Sequence, residues 1–210
     1  MKNLVVLGPQ GSGKGTQAEL LAEKLNFVVI EAGGSLREIA KTDTELGRRV
    51  KARIDKGFMV EPEEIAEVIR AKLVALPSDQ GVILESYPRS LEQYETMKKF
   101  WPELGRGDFK VIYVDIPEEE SIKRLSSRRV CEKCGRNYIA GTVQKCSMCG
   151  GELVQRQDDY PEAVKERLAW SNSELMPLVE ELEKEGKVIR IDGRPSIEEV
   201  HREIIEKLNI

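Results

Sequence analysis

The chain has little excess charge, few aromatic residues and no long apolar run. Its 33 basic and 37 acidic residues leave a net charge of −4, which disfavours a surface for binding nucleic acid. Aromatic residues make up only 5% of the 210 residues, so the basic, aromatic-rich stripe of a nucleic-acid-binding domain is also missing. No apolar run approaches the roughly 20 residues of a membrane helix. The first apolar run begins at Leu4, so we expect no secretory leader and a cytoplasmic protein.

Cysteine is also scarce, and its distribution indicates a metal site. All four cysteines lie between residues 131 and 149, in two Cys-x2-Cys knuckles that are eleven residues apart and each followed by glycine. Disulfides and an iron–sulfur cluster are the alternatives to zinc. We expect a structural zinc ion, because a site filled by four thiolates leaves no open coordination position for catalysis. The predicted zinc ligands are Cys131, Cys134, Cys146 and Cys149.

A glycine-rich loop from Gly8 to Thr16, with the sequence GPQGSGKGT, is the strongest functional signal. The apolar run Leu4–Leu7 precedes the loop and predicts a buried strand, while apolar residues at helical spacing follow it. Strand, glycine-rich loop and helix in this order are typical of a phosphate-binding loop, in which backbone N–H groups and Lys14 hold phosphate oxygens. The loop departs from the usual pattern at Gly15, where a hydroxyl residue normally stands.

The rest of the chain alternates predicted strands with predicted helices. We expect further strands near residues 27–30, 82–84, 111–115 and 188–191. The alternation predicts an α/β fold with a five-stranded parallel sheet, helices on both faces, and the phosphate loop at the carboxyl end of a strand. Helices are predicted after a cap at Ser35, at residues 45–56, 63–76, 91–100, 118–128 and 161–185, and after a cap at Ser196.

Together these segments resemble adenylate kinase in its long-lid, zinc-bearing form, over essentially the whole chain. The phosphate loop, the string Tyr87-Pro88-Arg89 with Gln93, the string Asp192-Gly193-Arg194 and the two knuckles carry the resemblance. It implies a P-loop kinase with a helical insert that binds the nucleoside monophosphate (NMP) and a lid held by zinc. The implied domains are a core of residues 1–30, 61–129 and 160–210, an NMP-binding insert of residues 31–60 and a lid of residues 130–159.

The resemblance also implies an activity. The expected reaction is reversible, Mg²⁺-dependent phosphoryl transfer from ATP to AMP that gives two ADP, carried out by a monomer that binds neither nucleic acid nor membranes. Phosphoryl transfer requires cations around the transferred group and no general base. Arg124 and Arg128 are four residues apart, and we expect them on one helix face at the lid hinge. The implied catalytic residues are Lys14, Arg89, Arg124, Arg128, Arg156 and Arg167.

Further residues are implied to bind the two nucleotides. Asn137 and Tyr138 match lid residues that reach ATP, and Gln93 matches a glutamine that reads adenine. The implied ATP-binding residues are Gly11, Ser12, Gly13, Lys14, Gly15, Thr16, Arg128, Asn137, Tyr138 and Arg194. The implied AMP-binding residues are Ala32, Arg37, Phe58, Met59, Val60, Ser86, Tyr87, Pro88, Arg89, Gln93, Arg156 and Arg167.

Departures from the family pattern concern base specificity and Mg²⁺. The family usually has threonine and aspartate where this chain has Ala32 and Gly34, and aspartate-glycine where it has Glu85-Ser86. We therefore expect Mg²⁺ to be held mainly by the nucleotide phosphates and water, with Glu85 ordering that water. Ala32 resembles pyrimidine nucleotide kinases, so a kinase for UMP, CMP or another monophosphate is the first alternative. A nucleotide-dependent module that binds nucleic acid through its zinc knuckles is the second.

Overall fold

The computed structural model describes residues 2–55, 59–155 and 161–210, with the backbone alone at 161–163, 166 and 167. A five-stranded parallel sheet lies at its centre. Its strands are β1 (Asn3–Leu7), β2 (Val28–Glu31), β3 (Val82–Glu85), β4 (Lys110–Asp115) and β8 (Val188–Asp192). They lie in the order β2-β3-β1-β4-β8, and every neighbouring pair is parallel. This confirms the predicted α/β fold.

Both faces of the sheet are buried under helices. Along β1, Val5 and Leu7 belong to one apolar cluster and Leu4 and Val6 to the other, because neighbouring side chains of a strand point to opposite faces. The helices α1 (Lys14–Leu25) and α9 (Ile197–Leu208) cover the second face. The first face is covered by α4 (Pro62–Val74), α5 (Leu91–Phe100) and α8 (Met176–Lys184). No helix within the described residues is long and apolar enough to span a membrane.

Two short helices, α2 (Ala32–Ile39) and α3 (Glu45–Ile54), follow β2 directly. The predicted cap at Ser35 is wrong, because the helix already begins at Ala32 and the Ser35 hydroxyl donates a hydrogen bond back to the Glu31 carbonyl, at 2.7 Å. The cap of α3 is Thr44, whose Oγ1 accepts the N–H of Gly47 at 3.0 Å. Strand β2 therefore runs into helix without an intervening turn.

A second, three-stranded antiparallel sheet carries the cysteines. It consists of β5 (Arg128–Cys131), β6 (Asn137–Ile139) and β7 (Leu153–Val154), with β5 in the middle. The preceding helix α6 (Glu118–Ser126) ends earlier than predicted, because the Ser126 and Ser127 hydroxyls bond the carbonyls of its last turn. Arg128 is therefore the first residue of a strand, and the expectation that it shares a helix face with Arg124 is wrong.

The predicted helix over residues 161–185 contains an irregular segment. It consists of α7 (Pro161–Trp170), a π-helical segment (Ser171–Leu175) and α8. The N–H of Met176 bonds the carbonyl of Ser171, five residues earlier, which defines the π-helical turn. The predicted cap at Ser196 is confirmed, since Ser196 and Glu199 form a capping box at the start of α9. A 3₁₀ helix (Pro102–Leu104) follows α5.

Candidate active site

The loop between β1 and α1 has the backbone of a phosphate-binding loop. Gly8, Gly11 and Gly13 have φ angles of 149°, 80° and 88°, a region that glycine enters without steric cost. A Cβ at Gly8 would also overlap the carbonyl oxygen of Val114, so the loop lies tightly against β4. Gly15 differs from these, because it lies in the first turn of α1 and has no positive φ.

Lys14 connects this loop to the end of the neighbouring strand. Its Nζ donates to the Pro9 carbonyl at 3.2 Å and lies 4.0 Å from Oε1 of Glu85, the last residue of β3. Two more atoms of the loop, Gln10 Oε1 and Ser12 Oγ, are buried and have no hydrogen-bond partner within the described ranges. Unpaired buried polar atoms are costly, so they mark a place where a ligand or water completes the hydrogen bonding.

The chain leaves β3 through a strained residue. Ser86 has a φ angle of 62°, in the left-handed region, and its hydroxyl donates to Oε1 of Glu85 at 2.7 Å. Its N–H donates to the Val6 carbonyl at 3.0 Å, so this turn is fixed to the central strand next to the phosphate loop. Glycine would adopt such a φ without cost, whereas serine does not.

The next turn places Arg89 and Gln93 together at the start of α5. Ser90 caps this helix, and Oε1 of the buried Gln93 accepts the N–H of Arg89 at 2.8 Å. The Gln93 oxygen therefore points at the backbone of Arg89, and its NH₂ group is left to donate elsewhere. The guanidinium of Arg89 lies over the ring of Trp170, with Cζ 4.8 Å from the ring centroid. Tyr87 is fully buried, and burial raises the pKa of its hydroxyl.

Arg37 lies in the last turn of α2 and forms an ion pair with Glu31. The distance from Nη2 of Arg37 to Oε1 of Glu31 is 3.2 Å, and both side chains are about half exposed. Ala32, the first residue of the same helix, is buried. On the chain beyond α3, Val60 is buried and Met59 is half exposed.

Arg124 links the phosphate loop to the turn after β8. Its Nε donates to Glu120 at 2.7 Å, and its two other nitrogens lie 3.4 Å from the Gly11 carbonyl and 3.3 Å from the Arg194 carbonyl. In that turn the Arg194 side chain donates to Asp192, which lowers the pKa of the Asp192 carboxyl to about 2. The turn packs closely on the loop, since a Cβ at Gly193 would lie 3.0 Å from the Ser12 carbonyl oxygen.

The four cysteines converge beside the smaller sheet, as predicted, with Cys131 at the end of β5 and the other three in the turns between its strands. Their Sγ atoms all lie within 4.8 Å of one another, with the residues Cys131 and Cys146 buried and Cys134 and Cys149 exposed. A zinc ion at about 2.3 Å from each of four sulfurs keeps them about 3.8 Å apart. Two sulfur pairs, Cys131 with Cys149 and Cys134 with Cys146, are 3.4 and 3.5 Å apart. Both distances are far beyond a disulfide bond, so the cysteines are free thiols in an arrangement that fits a tetrahedral metal.

Tyr138 contacts this cluster. Its hydroxyl lies 3.2 Å from Cys146 Sγ and accepts the N–H of Ser147 at 3.1 Å. The hydrogen bond with Tyr138 is the main reason that the pKa of Cys146 falls to about 6. A backbone hydrogen bond from Gly151 favours the Cys149 thiolate, but hydrogen bonds with the other thiols outweigh it and raise the pKa of Cys149 to about 12. The Cys146 thiol therefore loses its proton at a lower pH than the Cys149 thiol does.

Part of the predicted site lies outside the described residues. This applies to Phe58 and Arg156, and to the side chain of Arg167, whose backbone belongs to α7. Arg128 and Asn137 begin two adjacent strands of the smaller sheet, and Asn137 is exposed. Sequence reasoning missed Glu31 and Trp170, which contact two of the predicted arginines. An acidic residue before the Ala-Gly-Gly string and a tryptophan on α7 were the available signals.

A parallel sheet with a glycine-rich loop after its central strand and a lysine at the start of the following helix is typical of phosphoryl-transfer proteins of the P-loop class. The model of one family, described as adenylate kinase, matches residues 6–187. A protein named adenylate kinase from Dehalococcoides mccartyi is 40% identical over 212 residues, which cover 99% of this chain and 98% of that protein. The chain belongs to the adenylate kinase family.

Other relatives with the same name come from other organisms. One from Caldicellulosiruptor bescii is 36% identical over 212 residues, covering 99% of each chain. One from Archaeoglobus fulgidus is 39% identical over 207 residues, covering 96% of this chain and 95% of that protein. The similarity therefore extends over the core, the helical insert and the cysteine segment alike.

Proposed function

We propose that the protein transfers the terminal phosphoryl group of ATP to AMP, reversibly, and forms two molecules of ADP. The bond between the γ-phosphorus and the β–γ bridging oxygen breaks, and an oxygen of the AMP phosphate forms the new bond to the same phosphorus. The observation that carries this proposal is the contact of Lys14 with Glu85. It joins the phosphate loop, on the ATP side, to the strand that leads directly into Ser86 and Arg89, on the AMP side.

Positively charged side chains are the main catalytic groups in phosphoryl transfer. The transition state spreads negative charge over the transferred group, so fixed cations around it lower the barrier without any proton transfer. Lys14 lies in the phosphate loop and Arg124 contacts it, whereas Arg89 lies on the turn after β3. We propose that Arg128, Arg156 and Arg167 complete this set when the nucleotides bind. Arginine suits this role because its planar fork matches phosphate oxygens.

The nucleotide-binding residues are proposals that follow the family pattern. For AMP, we propose that Arg37 and Arg89 hold the phosphate and that the NH₂ group of Gln93 donates to the base. For ATP, the unpaired loop atoms and the positive-φ glycines support a phosphate cradle at residues 11–16. Arg128, Asn137, Tyr138 and Arg194 are the further proposed ATP-binding residues. Ala32, Phe58, Met59, Val60, Ser86, Tyr87, Pro88, Arg156 and Arg167 are the further proposed AMP-binding residues.

We propose zinc for the cysteine cluster and Mg²⁺ for the transfer step. The spacing of the four sulfur atoms and their free thiol state support zinc, which would hold the small second sheet together. When bound with ATP, Mg²⁺ neutralises phosphate charge. Glu85 is the described carboxylate next to Lys14, and it would order water around that ion.

We propose that residues 31–60 and 130–159 form two lobes that close over the substrates, on a core of residues 1–30, 61–129 and 160–210. Closure would exclude water, which would otherwise hydrolyse the transferable phosphoryl group. Small-angle scattering with and without an analogue that joins both nucleotides tests this proposal. A smaller radius of gyration in the complex supports closure, and identical curves would contradict it.

We also propose that the protein acts as a monomer in the cytoplasm and does not bind nucleic acid. The balanced, slightly acidic composition supports the last point, since a polyanion needs a basic surface. Sedimentation and filter binding with RNA and DNA test these statements.

A coupled assay tests the activity itself. Purified protein is incubated with ATP, Mg²⁺ and a panel of nucleoside monophosphates, and ADP formation is measured for each. We expect kcat/KM to be largest for AMP. Larger values for UMP or CMP would assign the protein to a different substrate, and no transfer to any monophosphate would overturn the proposed function.

A further inference from the structure

The arginine proposed to bind the AMP phosphate already holds an anion. Glu31 is the last residue of β2, and its two carboxylate oxygens lie 3.2 and 3.4 Å from Nη2 of Arg37. Glu31 directly precedes α2 and Arg37 lies in its last turn, so the ion pair extends along most of the helix. A phosphate that binds the same guanidinium must therefore share it with, or take it from, this carboxylate.

The two glycines of α2 make room for this ion pair. A Cβ at Gly34 would overlap Oε2 of Glu31, and a Cβ at Gly33 would lie 3.0 Å from Oε1 and 3.1 Å from Nη1 of Arg37. Glycine inside a helix is less favourable than alanine, and neither glycine has the positive φ angle that would require it. The two glycines therefore leave the space in which the Glu31 carboxylate contacts Arg37, and a side chain at either position would shift that carboxylate.

The carboxylate also adds negative charge where the phosphate has to bind. Glu31 and Glu85 are register partners at the carboxyl ends of neighbouring parallel strands, so both acids lie at the same edge of the sheet. A phosphate monoester carries nearly two negative charges at neutral pH, and like charges in one site repel. The partly exposed Glu31 has room to move aside, whereas Glu85 is buried beside Lys14.

We propose that Glu31 sets the affinity of the monophosphate site: its carboxylate holds Arg37 in the free protein and is exchanged there for the phosphate of AMP. The inference rests on the proposed function, in which Arg37 binds that phosphate. The exchange keeps Arg37 in place before AMP arrives and weakens AMP binding by the cost of displacing the carboxylate. Glu31 is thus a positioning residue and takes no part in the transfer step.

Calorimetric titration of the full-length protein with AMP tests the exchange. Glu31→Gln keeps the shape of the side chain and removes its charge, so we expect the Kd for AMP to fall by about threefold to tenfold. The Kd for adenosine, which has no phosphate, should stay the same. In steady-state assays the KM for AMP should fall while kcat is unchanged. An unchanged or larger Kd for AMP would overturn the inference.

Glu38→Gln is the matched control. Glu38 lies on the same helix, pairs with Lys72 on α4 and is exposed, so its substitution changes the net charge by the same amount. We expect AMP binding to be unaffected by Glu38→Gln. If Glu31→Gln and Glu38→Gln tighten AMP binding equally, the change in net charge causes the effect and the exchange at Arg37 is refuted.

Gly34→Ala tests the same contact from the other side. The added Cβ would push the Glu31 carboxylate away from Arg37, so we expect tighter AMP binding in the otherwise unchanged protein. In a Glu31→Ala background the added methyl group has no carboxylate to displace, and Gly34→Ala should then leave the Kd unchanged. Equal effects in both backgrounds would contradict the proposed contact.

Arg37→Met separates this inference from the proposed function. If Arg37→Met weakens AMP binding while Glu31→Gln leaves it unchanged, Arg37 binds the phosphate and only the inference about Glu31 fails. If Arg37→Met leaves AMP binding unchanged, the assignment of Arg37 fails and the exchange fails with it. Melting curves of each variant show whether it is folded, and little change is expected because an exposed ion pair contributes little stability.

Discussion

The guanidinium of Arg89 stacks on the indole ring of Trp170, with 4.8 Å between Cζ and the ring centroid. The two residues come from elements that are 81 positions apart in the chain, the turn after β3 and the last position of α7. A cation over an aromatic ring is stabilised by about 0.5–1 kcal/mol at a partly exposed site. The ring therefore restricts Arg89 near the place where the AMP phosphate is proposed to bind.

Replacing Trp170 with leucine should weaken AMP binding. Without the ring, Arg89 loses a contact that restricts it, and we expect the KM for AMP to rise about threefold to fivefold. Trp170→Phe keeps an aromatic face and serves as the control, with a smaller change. Because the chain has only two tryptophans, Trp101→Phe leaves Trp170 as the single fluorescent reporter, and AMP should change its emission. A Trp170→Leu enzyme with unchanged KM would show that the stacking is incidental.

Lys14→Met should lower kcat by at least about a hundredfold, because charge aimed at the transferred group acts mainly in the transition state. Arg89→Met should also lower kcat, for the same reason. The control is Lys24→Met, which removes an exposed lysine at the other end of α1. Steady-state kinetics with ATP and AMP separate kcat from KM. A loss found wholly in KM would mean that these residues only bind substrate.

The zinc site should support stability more than turnover. We expect one zinc ion per chain by metal analysis, and a lower Tm after Cys134→Ser combined with Cys149→Ser, since the small second sheet depends on the ion. At temperatures where this double variant remains folded, turnover should fall much less than stability does. Met148→Ala, at an exposed position of the same knuckle, should change neither. Protein that contains no zinc and two disulfides would refute the site.

The sequence predicted the features that depend on local patterns. The five parallel strands, the phosphate loop and the cysteine cluster each follow from a short motif or an apolar run, and the structure has all of them. The end of α6 was predicted wrongly because the Ser126 and Ser127 hydroxyls bond the last turn and Arg128 then pairs with Ile139, a pairing that depends on residues beyond the helix. The cap at Ser35 failed because two glycines, which usually interrupt helices, lie inside α2.

The side-chain contacts of the candidate site could not be predicted in the same way. That Glu31 contacts Arg37 depends on the empty space at two glycines. That Trp170 contacts Arg89 depends on how α7 packs in the fold, where Val164 and Leu168 lie against Leu125 of α6. Neither contact can be predicted from the spacing of these residues along the chain. Gln93 was expected to read adenine, yet its side-chain oxygen already accepts the Arg89 N–H, a contact that the spacing of the two residues did not predict.

Base specificity should respond to Ala32 and Gln93 in opposite directions. Ala32→Thr restores a hydroxyl at the start of α2 and should raise the preference for AMP over UMP and CMP by about threefold, the value of one hydrogen bond. Ala32→Val has nearly the same volume without the hydroxyl and is the control. Gln93→Ala should reduce that preference, because it removes the NH₂ donor. The ratio of kcat/KM for AMP to that for UMP or CMP measures the preference. A larger kcat/KM for UMP or CMP in the unmodified protein would mean that Ala32 outweighs Gln93.

The ion pair of Asp192 with Arg194 should stabilise the fold only above acidic pH. The hydrogen bonds from Arg194 lower the Asp192 pKa to about 2 in the folded protein, below its ordinary value of 3.8. A lowered pKa means that the stabilisation is fully present above the ordinary value and is lost as the pH falls towards 2. Asp192→Asn should lower Tm by about 1–3 °C at pH 6, since the carboxylate is partly exposed, and by less at pH 3.

Asp79→Asn, at an exposed position on the loop before β3, is the control for the pH experiment. It should change Tm by the same small amount at both pH values. If the difference between Asp192→Asn and the unmodified protein is as large at pH 3 as at pH 6, the ion pair is not its source.

The π-helical segment sets the rotation of α7 relative to α8. A π turn contains one residue more than an α turn, and one residue corresponds to about 100° of rotation around a helix axis. The residues after the segment, such as Leu178 and Leu182, face the core, while Trp170 before it faces Arg89. Without the extra residue, one of these two sets would point in the wrong direction. The single added residue thus lets the part of the helix before the segment contact Arg89 while the part after it packs on the core, which a regular α-helix of this sequence would not do.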